Sequence, residues 1–88
     1  MTNVTIYTKN YCPYCTRAKA LLDRKGIAYD EIDVTYDEAL QSEMKERSQR
    51  RTVPQIFVGE QHIGGSDDLV ALDQSGEFDR LFGASVAA

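Results

Sequence analysis

The sequence predicts an α/β fold, a mixed four-stranded sheet with helices on both faces, in the order βαβαββα. Three observations carry this. An apolar run, a helical period and a second apolar run follow one another within about 30 residues, the pattern of a βαβ unit with parallel strands. Two later short runs are separated only by Gly59-Glu60, which only antiparallel neighbours allow. Helical periods before and after that hairpin supply apolar stripes for the two faces of one sheet.

Val4-Thr5-Ile6-Tyr7 is β-branched and aromatic and reads as the first strand. Thr8 to Tyr11 is polar and reads as a loop. Pro13 suits the first turn of a helix, where its missing N–H costs nothing. Ala18, Leu21 and Leu22 then share one helical face, with Arg17, Lys19, Asp23 and Arg24 on the other. Lys25-Gly26 ends that helix. Ala28 to Val34 places Tyr29, Ile32 and Val34 among acidic residues and reads as the second strand. Asp37 is a plausible cap for a second helix carrying Leu40, Met44 and Arg47. Gln55 to Val58 and Gln61 to Gly64 are the third and fourth strands. Gly64-Gly65-Ser66 opens a third helix with Leu69, Val70 and Leu72 on its apolar face, and Gly76 interrupts it. Phe78, Leu81 and Phe82 are expected in a last short helix against the sheet.

The chain has 88 residues, which fits one domain over 1–88 with a frayed tail at 83–88. Its 42% hydrophobic and 27% charged residues are ordinary for a soluble globular protein. A net charge of −4 argues against general nucleic-acid binding. No apolar run approaches the ~20 residues of a membrane span. No basic stretch leads into an apolar one at the N-terminus, so a secretory signal is not expected. Two cysteines are too few for a disulfide scaffold, and a cytoplasmic protein with a catalytic or metal-binding pair is the expectation.

Those two cysteines are Cys12 and Cys15, in Cys12-Pro13-Tyr14-Cys15. Structural zinc takes four ligands, usually Cys and His. The chain offers only this pair and His62, which falls in a strand far away in sequence. A redox role has a mechanism. Cys12 stands at the start of a helix, where unpaired N–H groups and the helix dipole favour a thiolate. Cys15 lies about one turn inside and is shielded. Cys12 can attack a disulfide and Cys15 can resolve the mixed disulfide that results. Lys9 adds a nearby positive charge, or is simply a solvated loop lysine.

These residues resemble the glutaredoxins, dithiol type. The resemblance rests on Cys12-Pro13-Tyr14-Cys15, on Lys9 three residues before it, on Thr52-Val53-Pro54 before the third strand, and on Gly64-Gly65-Ser66-Asp67 at the third helix. It runs from about Val4 to Phe82. It implies a thioredoxin-like fold with sheet order 2-1-3-4, a cis bond before Pro54, and glutathione as co-substrate with no tightly bound cofactor. It also implies a glutathione site. Lys9, Arg51 and Gln41 would face the glycine carboxylate, and Thr52 and Val53 of the Thr52-Val53-Pro54 turn would pair with the cysteinyl backbone. Gly65 and Ser66 would offer helix N-terminal N–H groups to the γ-glutamyl carboxylate, Asp67 would take the ammonium, and Tyr14 would line the groove. The basic group Lys45, Arg47, Arg50 and Arg51 either steers anions or simply complements a helix end.

The implied activity is glutathione-dependent thiol–disulfide exchange on disulfide-containing or glutathionylated proteins. Ribonucleotide reductase is one family-level possibility, the glutathione reductase system is the indirect electron source, and a monomer is expected. The implied reduction potential is roughly −200 to −230 mV. A departure from many dithiol members is Ser66, where they carry a further cysteine. The chain also lacks the Cys-Gly-Phe-Ser sequence of the monothiol branch. Two other readings stand beside the main one: a glutathione-assisted [2Fe–2S] carrier, and a redoxin fed by thioredoxin reductase.

Overall fold

The computed structural model describes residues 3–78 and residue 80. Val4–Thr8 forms β1, Pro13–Arg24 α1, Asp30–Asp33 β2, Glu38–Ser48 α2, Gln55–Val58 β3, Gln61–Gly64 β4 and Ser66–Gln74 α3. The sheet order is β2-β1-β3-β4, as expected, with β1 inside. β1 runs parallel to β2, pairing Thr5 with Asp30 and Thr8 with Asp33. β3 is antiparallel to β1, with Tyr7 opposite Gln55, and β4 is antiparallel to β3. Gly59, at φ 61°, takes the left-handed conformation that the two-residue turn between β3 and β4 requires.

Strand alternation sorts the core onto two faces. Val4 and Ile6 of β1 and Ile56 and Val58 of β3 pack with Ala18, Leu21 and Leu22 of α1, Leu69 of α3, and Phe78. Tyr7 and Phe57 point the other way and meet Met44 of α2 and Val34. The helical stripe in α1 and the strand pattern in β1 therefore describe the same surface from opposite sides. Leu22 is wholly buried in it. Its truncation to alanine would cost about 2–5 kcal/mol.

Two strand boundaries differ from the expectation. β1 continues through Thr8, which is buried, and the Thr8 hydroxyl donates to Glu31 Oε2 at 2.7 Å. A polar residue stays in the strand because the neighbouring strand supplies its acceptor. β2 is shorter than 28–34, although the Val34 N–H still donates to Thr8 O at 2.9 Å. Tyr29 and Val34 still pack, on opposite faces, just outside the ladder. Phe78 is buried on the α1–α3 face as expected. Leu81, Phe82 and the tail at 83–88 lie outside the described residues.

Candidate active site

The helix that the sequence places after the thiol pair starts where Pro13 puts it, and Cys12 is its N-cap. The cap residue is extended, at φ −104° and ψ 105°, and its sulfur accepts the Cys15 N–H at 3.2 Å. A thiol sulfur thus takes the place that a Ser or Asp oxygen fills in most caps. Thr16 N–H closes the first helical bond to Cys12 O at 3.1 Å. Both cysteines are reduced, Cys12 partly exposed and Cys15 buried. The Cys15 thiol is pushed up to about 12, first by burial and then by its contact with Cys12, while the Lys9 backbone N–H and the Lys19 charge act the other way. One cysteine is therefore reachable and the other is kept protonated.

The segment before β3 comes up against this pair. The Val53–Pro54 bond is cis. Val53 O stands 3.8 Å from Cys12 Sγ, where the protonated thiol can donate to it. The Val53 N–H enters no hydrogen bond among the described residues. Thr52 and Val53 so present open backbone beside the thiol, in the turn that leads into β3. Thr52 is itself tied down by Gln55, whose Nε2 donates to Thr52 O at 2.9 Å and approaches Thr52 Oγ1 at 3.2 Å.

The start of α3 lies on the far side of the same turn. A Cβ on Gly65 would stand 3.4 Å from Pro54 O, an ordinary contact, so helix and turn are direct neighbours here. Asp68 accepts the Gly65 N–H at 2.9 Å, and Arg50 Nη1 donates to the same oxygen at 2.8 Å. Asp68 therefore caps the helix, and Asp67 is exposed with its carboxylate unpaired among the described residues. Arg50 first, and then the Gly65 N–H, hold the Asp68 carboxyl below its ordinary range. Ser66 is buried and its hydroxyl has no hydrogen-bond partner among the described residues.

On the α2 side a cleft of about 480 Å³ is lined by Lys9, Glu38, Gln41, Lys45 and Arg51 among others. Lys9, Lys45 and Arg51 form no ion pair among the described residues. Gln41 lines the cleft, but its Nε2 donates to Val34 O at 2.7 Å and Thr35 O at 3.3 Å. Its amide hydrogens are thus already engaged, and Lys9, Lys45 and Arg51 are the cations that line the cleft. The expected basic group divides. Arg47 donates to the Tyr7 hydroxyl at 2.7 Å and lies 4.2 Å above the Phe57 ring, so it is part of the packing. Arg50 is paired with Asp68. Lys45 and Arg51 alone remain to face anions. Tyr14 is 55% exposed beside Cys12 and carries the Arg17 guanidinium 5.7 Å from its ring centre. It lines neither this cleft nor the one next described.

A second cleft, about 450 Å³, opens on the β2 side and is lined by Cys12, Cys15, Lys9, Lys19 and Glu31 among others. Lys19 Nζ donates to Glu31 Oε2 at 3.0 Å. Sequence reasoning found neither this pair nor the Gln55–Thr52 bond. The first joins a helix to a strand and the second spans a turn, so neither has a fixed spacing to recognise.

A reachable thiol, a protonated neighbour one turn inward, open backbone and unpaired cations are what exchange with a peptide-borne, anionic disulfide requires. The comparisons agree. The glutaredoxin family model matches residues 4–63. Glutaredoxin 3 of Escherichia coli (strain K12) is 57% identical over 81 residues, covering 92% of this chain and 98% of that protein. The solution structure of glutaredoxin from Brucella melitensis is 56% identical, with TM-score 0.81 over 92% of this chain and 88% of that one. A crystal structure of a buckwheat glutaredoxin–glutathione complex is 33% identical, with TM-score 0.79 over 86% of this chain and 72% of that one.

Proposed function

The chain belongs to the glutaredoxin family and carries its redox-active dithiol, and from that premise we propose a glutathione-dependent thiol–disulfide oxidoreductase in which Cys12 attacks and Cys15 resolves. The observation that carries the division of labour is the contrast at the start of α1: Cys12 is partly exposed, while Cys15 is 2% exposed with its thiol pushed up to about 12. A thiolate, not a thiol, is the nucleophile. At neutral pH the reachable sulfur is the one able to react.

With a glutathionylated protein, Cys12 thiolate attacks the glutathione sulfur. The S–S bond breaks, the protein sulfur leaves as thiolate, and Cys12 is joined to glutathione. A second glutathione thiolate attacks that sulfur, forms oxidised glutathione and returns Cys12 as thiolate. With a protein disulfide, Cys12 instead becomes joined to the protein. Cys15 loses its proton, attacks the Cys12 sulfur and releases the protein thiolate. Two glutathiones then reduce the Cys12–Cys15 disulfide. Resolution by Cys15 needs proton removal in a low-dielectric setting, so it is the slower half at low pH.

Glutathione fits the surroundings by charge and shape. Lys9 and Arg51 oppose its glycine carboxylate across the cleft, with Gln41 in the wall. Thr52 and Val53, held by the Pro54 turn, pair with its cysteinyl backbone, and Tyr14 flanks the thiol. The start of α3 receives the γ-glutamyl carboxylate through the Ser66 N–H, the Gly65 N–H being held by Asp68, and Asp67, freed from capping by Asp68, takes the ammonium. The glutathione complex of the buckwheat relative supports the choice of ligand. A locally basic cleft in an acidic protein fits action on anionic thiols, in the reading of a single-domain monomer in the cytoplasm. No helix among the described residues is long and apolar enough to cross a membrane.

The test is Cys15→Ser. It retains removal of glutathione from a small mixed disulfide and loses turnover on a protein disulfide. Loss of both activities in a folded variant would show the roles to be wrongly divided. Turnover with glutathione and its reductase, compared with thioredoxin reductase, tests the co-substrate.

A further inference from the structure

Gln55 opens β3 on the face that carries Phe57 and Tyr7, and it is wholly buried. An apolar residue is the ordinary occupant of such a place. A buried amide is costly wherever one of its polar ends is left unpaired. Gln55 leaves neither end unpaired. Its Nε2 is spent on Thr52 O and Oγ1, at 2.9 and 3.2 Å. Its Oε1 meets His62 Nε2 at 2.7 Å. Since the Gln55 amine donates toward Thr52, its oxygen must accept, which assigns the proton to His62 Nε2. His62 in turn lies on the Phe57 ring, centroids 4.9 Å apart, which fixes its plane.

The chain His62–Gln55–Thr52 thus runs from β4 through the buried start of β3 to the turn that faces Cys12. Outside the sheet, no backbone–backbone hydrogen bond among the described residues reaches Arg51, Thr52 or Val53. Besides the contact of Cys12 Sγ with Val53 O, the amide of Gln55 is the tether of that segment among the described residues. We propose that Gln55, oriented by His62, is a positioning residue for thiol–disulfide exchange, fixing the Thr52–Val53 backbone beside Cys12 and so setting the affinity for peptide thiol substrates. This rests on the reading that Thr52–Val53 receives the substrate's backbone. Neither side chain touches the reacting sulfurs. Loosening that backbone weakens substrate and transition state alike, which raises KM and spares kcat.

The experiment compares Gln55→Met, His62→Phe and His62→Gln in steady-state turnover of a glutathionylated peptide, alongside the alkylation rate of Cys12 and the melting temperature. Gln55→Met is expected to raise KM roughly three- to tenfold, the size of one net hydrogen bond, with kcat and alkylation within about twofold. His62→Phe keeps the ring packing, loses the donor and raises KM in the same sense. His62→Gln carries an amide donor and returns KM toward the wild-type value. A lowered melting temperature with unchanged KM in Gln55→Met and His62→Phe would overturn the proposal, as would a joint fall in kcat and alkylation rate. Should Gln55→Met not fold, the His62 pair decides: equal KM values for the Phe and Gln variants overturn it. The underlying reading is tested on the wild type. Equal KM for the glutathionylated peptide and for a cysteamine mixed disulfide, which has no peptide backbone, would remove that reading and the positioning role with it.

Discussion

The sulfur of Cys12 stands 3.2 Å from the backbone nitrogen of Cys15, so the thiol that reacts also caps the helix that carries its partner. Catalysis and local stability meet in one atom, and substitution can separate them. Cys12→Ser keeps a capping acceptor and Cys12→Ala does not. Both variants are expected to lose all exchange activity. Cys12→Ala should also lose about 0.5–2 kcal/mol of stability relative to Cys12→Ser. Denaturant titration of the two checks this; equal midpoints would mean that a capping acceptor at position 12 contributes nothing to the helix.

Alkylation should follow the same asymmetry. Burial first, and the Cys12 contact second, hold the Cys15 thiol at about 12. A thiol is unreactive below its pKa, so iodoacetamide at pH 8 is expected to label Cys12 and leave Cys15 unmodified in the folded, reduced protein. Peptide mapping by mass spectrometry reads the site. Labelling of Cys15 rises only as pH climbs toward 12 or as the chain unfolds.

Lys9 and Arg51 face the α2-side cleft without ion-pair partners among the described residues, whereas Arg50 and Arg47 are engaged. Arg51→Ala and Lys9→Ala should each raise KM for a glutathione mixed disulfide roughly three- to tenfold and flatten its dependence on ionic strength. Arg47→Ala is expected to act on stability through Tyr7 and Phe57 instead. Kinetics at low and high salt, with melting curves, separate the two classes.

The start of α3 makes a steric and an acid-side prediction. Gly64 has φ 122°, and a Cβ there would run into the Asp68 carboxylate. Gly64→Ala is therefore expected to destabilise by about 1–3 kcal/mol. Asp68 is held below its ordinary 3.8 by Arg50 first and by the Gly65 N–H second. The folded state thus binds the proton less readily than the unfolded chain. The stabilisation is present above 3.8 and is lost as pH falls below it. Thermal melts of wild type and Asp68→Asn from pH 7 to 2.5 should converge at the acid end.

His62 makes the matching prediction near neutrality. Burial first, and the Arg50 charge second, lower it from 6.5, with Asp68 opposing. Here too the unfolded chain binds the proton more readily, so stability is full above about 6.5 and declines as pH falls through the lowered value. His62→Phe should flatten the melting temperature between pH 7 and 5.

Local rules determined much of this protein. Pro13 and the Ala18–Leu21–Leu22 stripe fix α1, and Asp37 caps α2 as its type suggests, its side chain accepting the Leu40 N–H at 2.9 Å. The Gly59-Glu60 spacing fixes the β3–β4 hairpin. Each depends on a few neighbouring residues, whose propensities and periods are written in order along the chain. The thiol pair was legible for the same reason, since one helical turn is a local distance.

Tertiary structure decided what depends on partners far away in sequence. It set the register of β2 against β1, and it kept Thr8 in a strand by giving it Glu31. It divided four similar basic residues into packing, pairing and open charge, because Tyr7, Phe57 and Asp68 claim Arg47 and Arg50 and leave Lys45 and Arg51. It gave the capping of α3 to Asp68 rather than Asp67, a choice set by which carboxylate the Gly65 N–H and Arg50 can both reach. It also brought Gln55 and His62 under the turn beside Cys12. A side chain's charge and hydrogen-bonding capacity are properties of its type. What that capacity is spent on depends on which groups folding brings within about 3 Å.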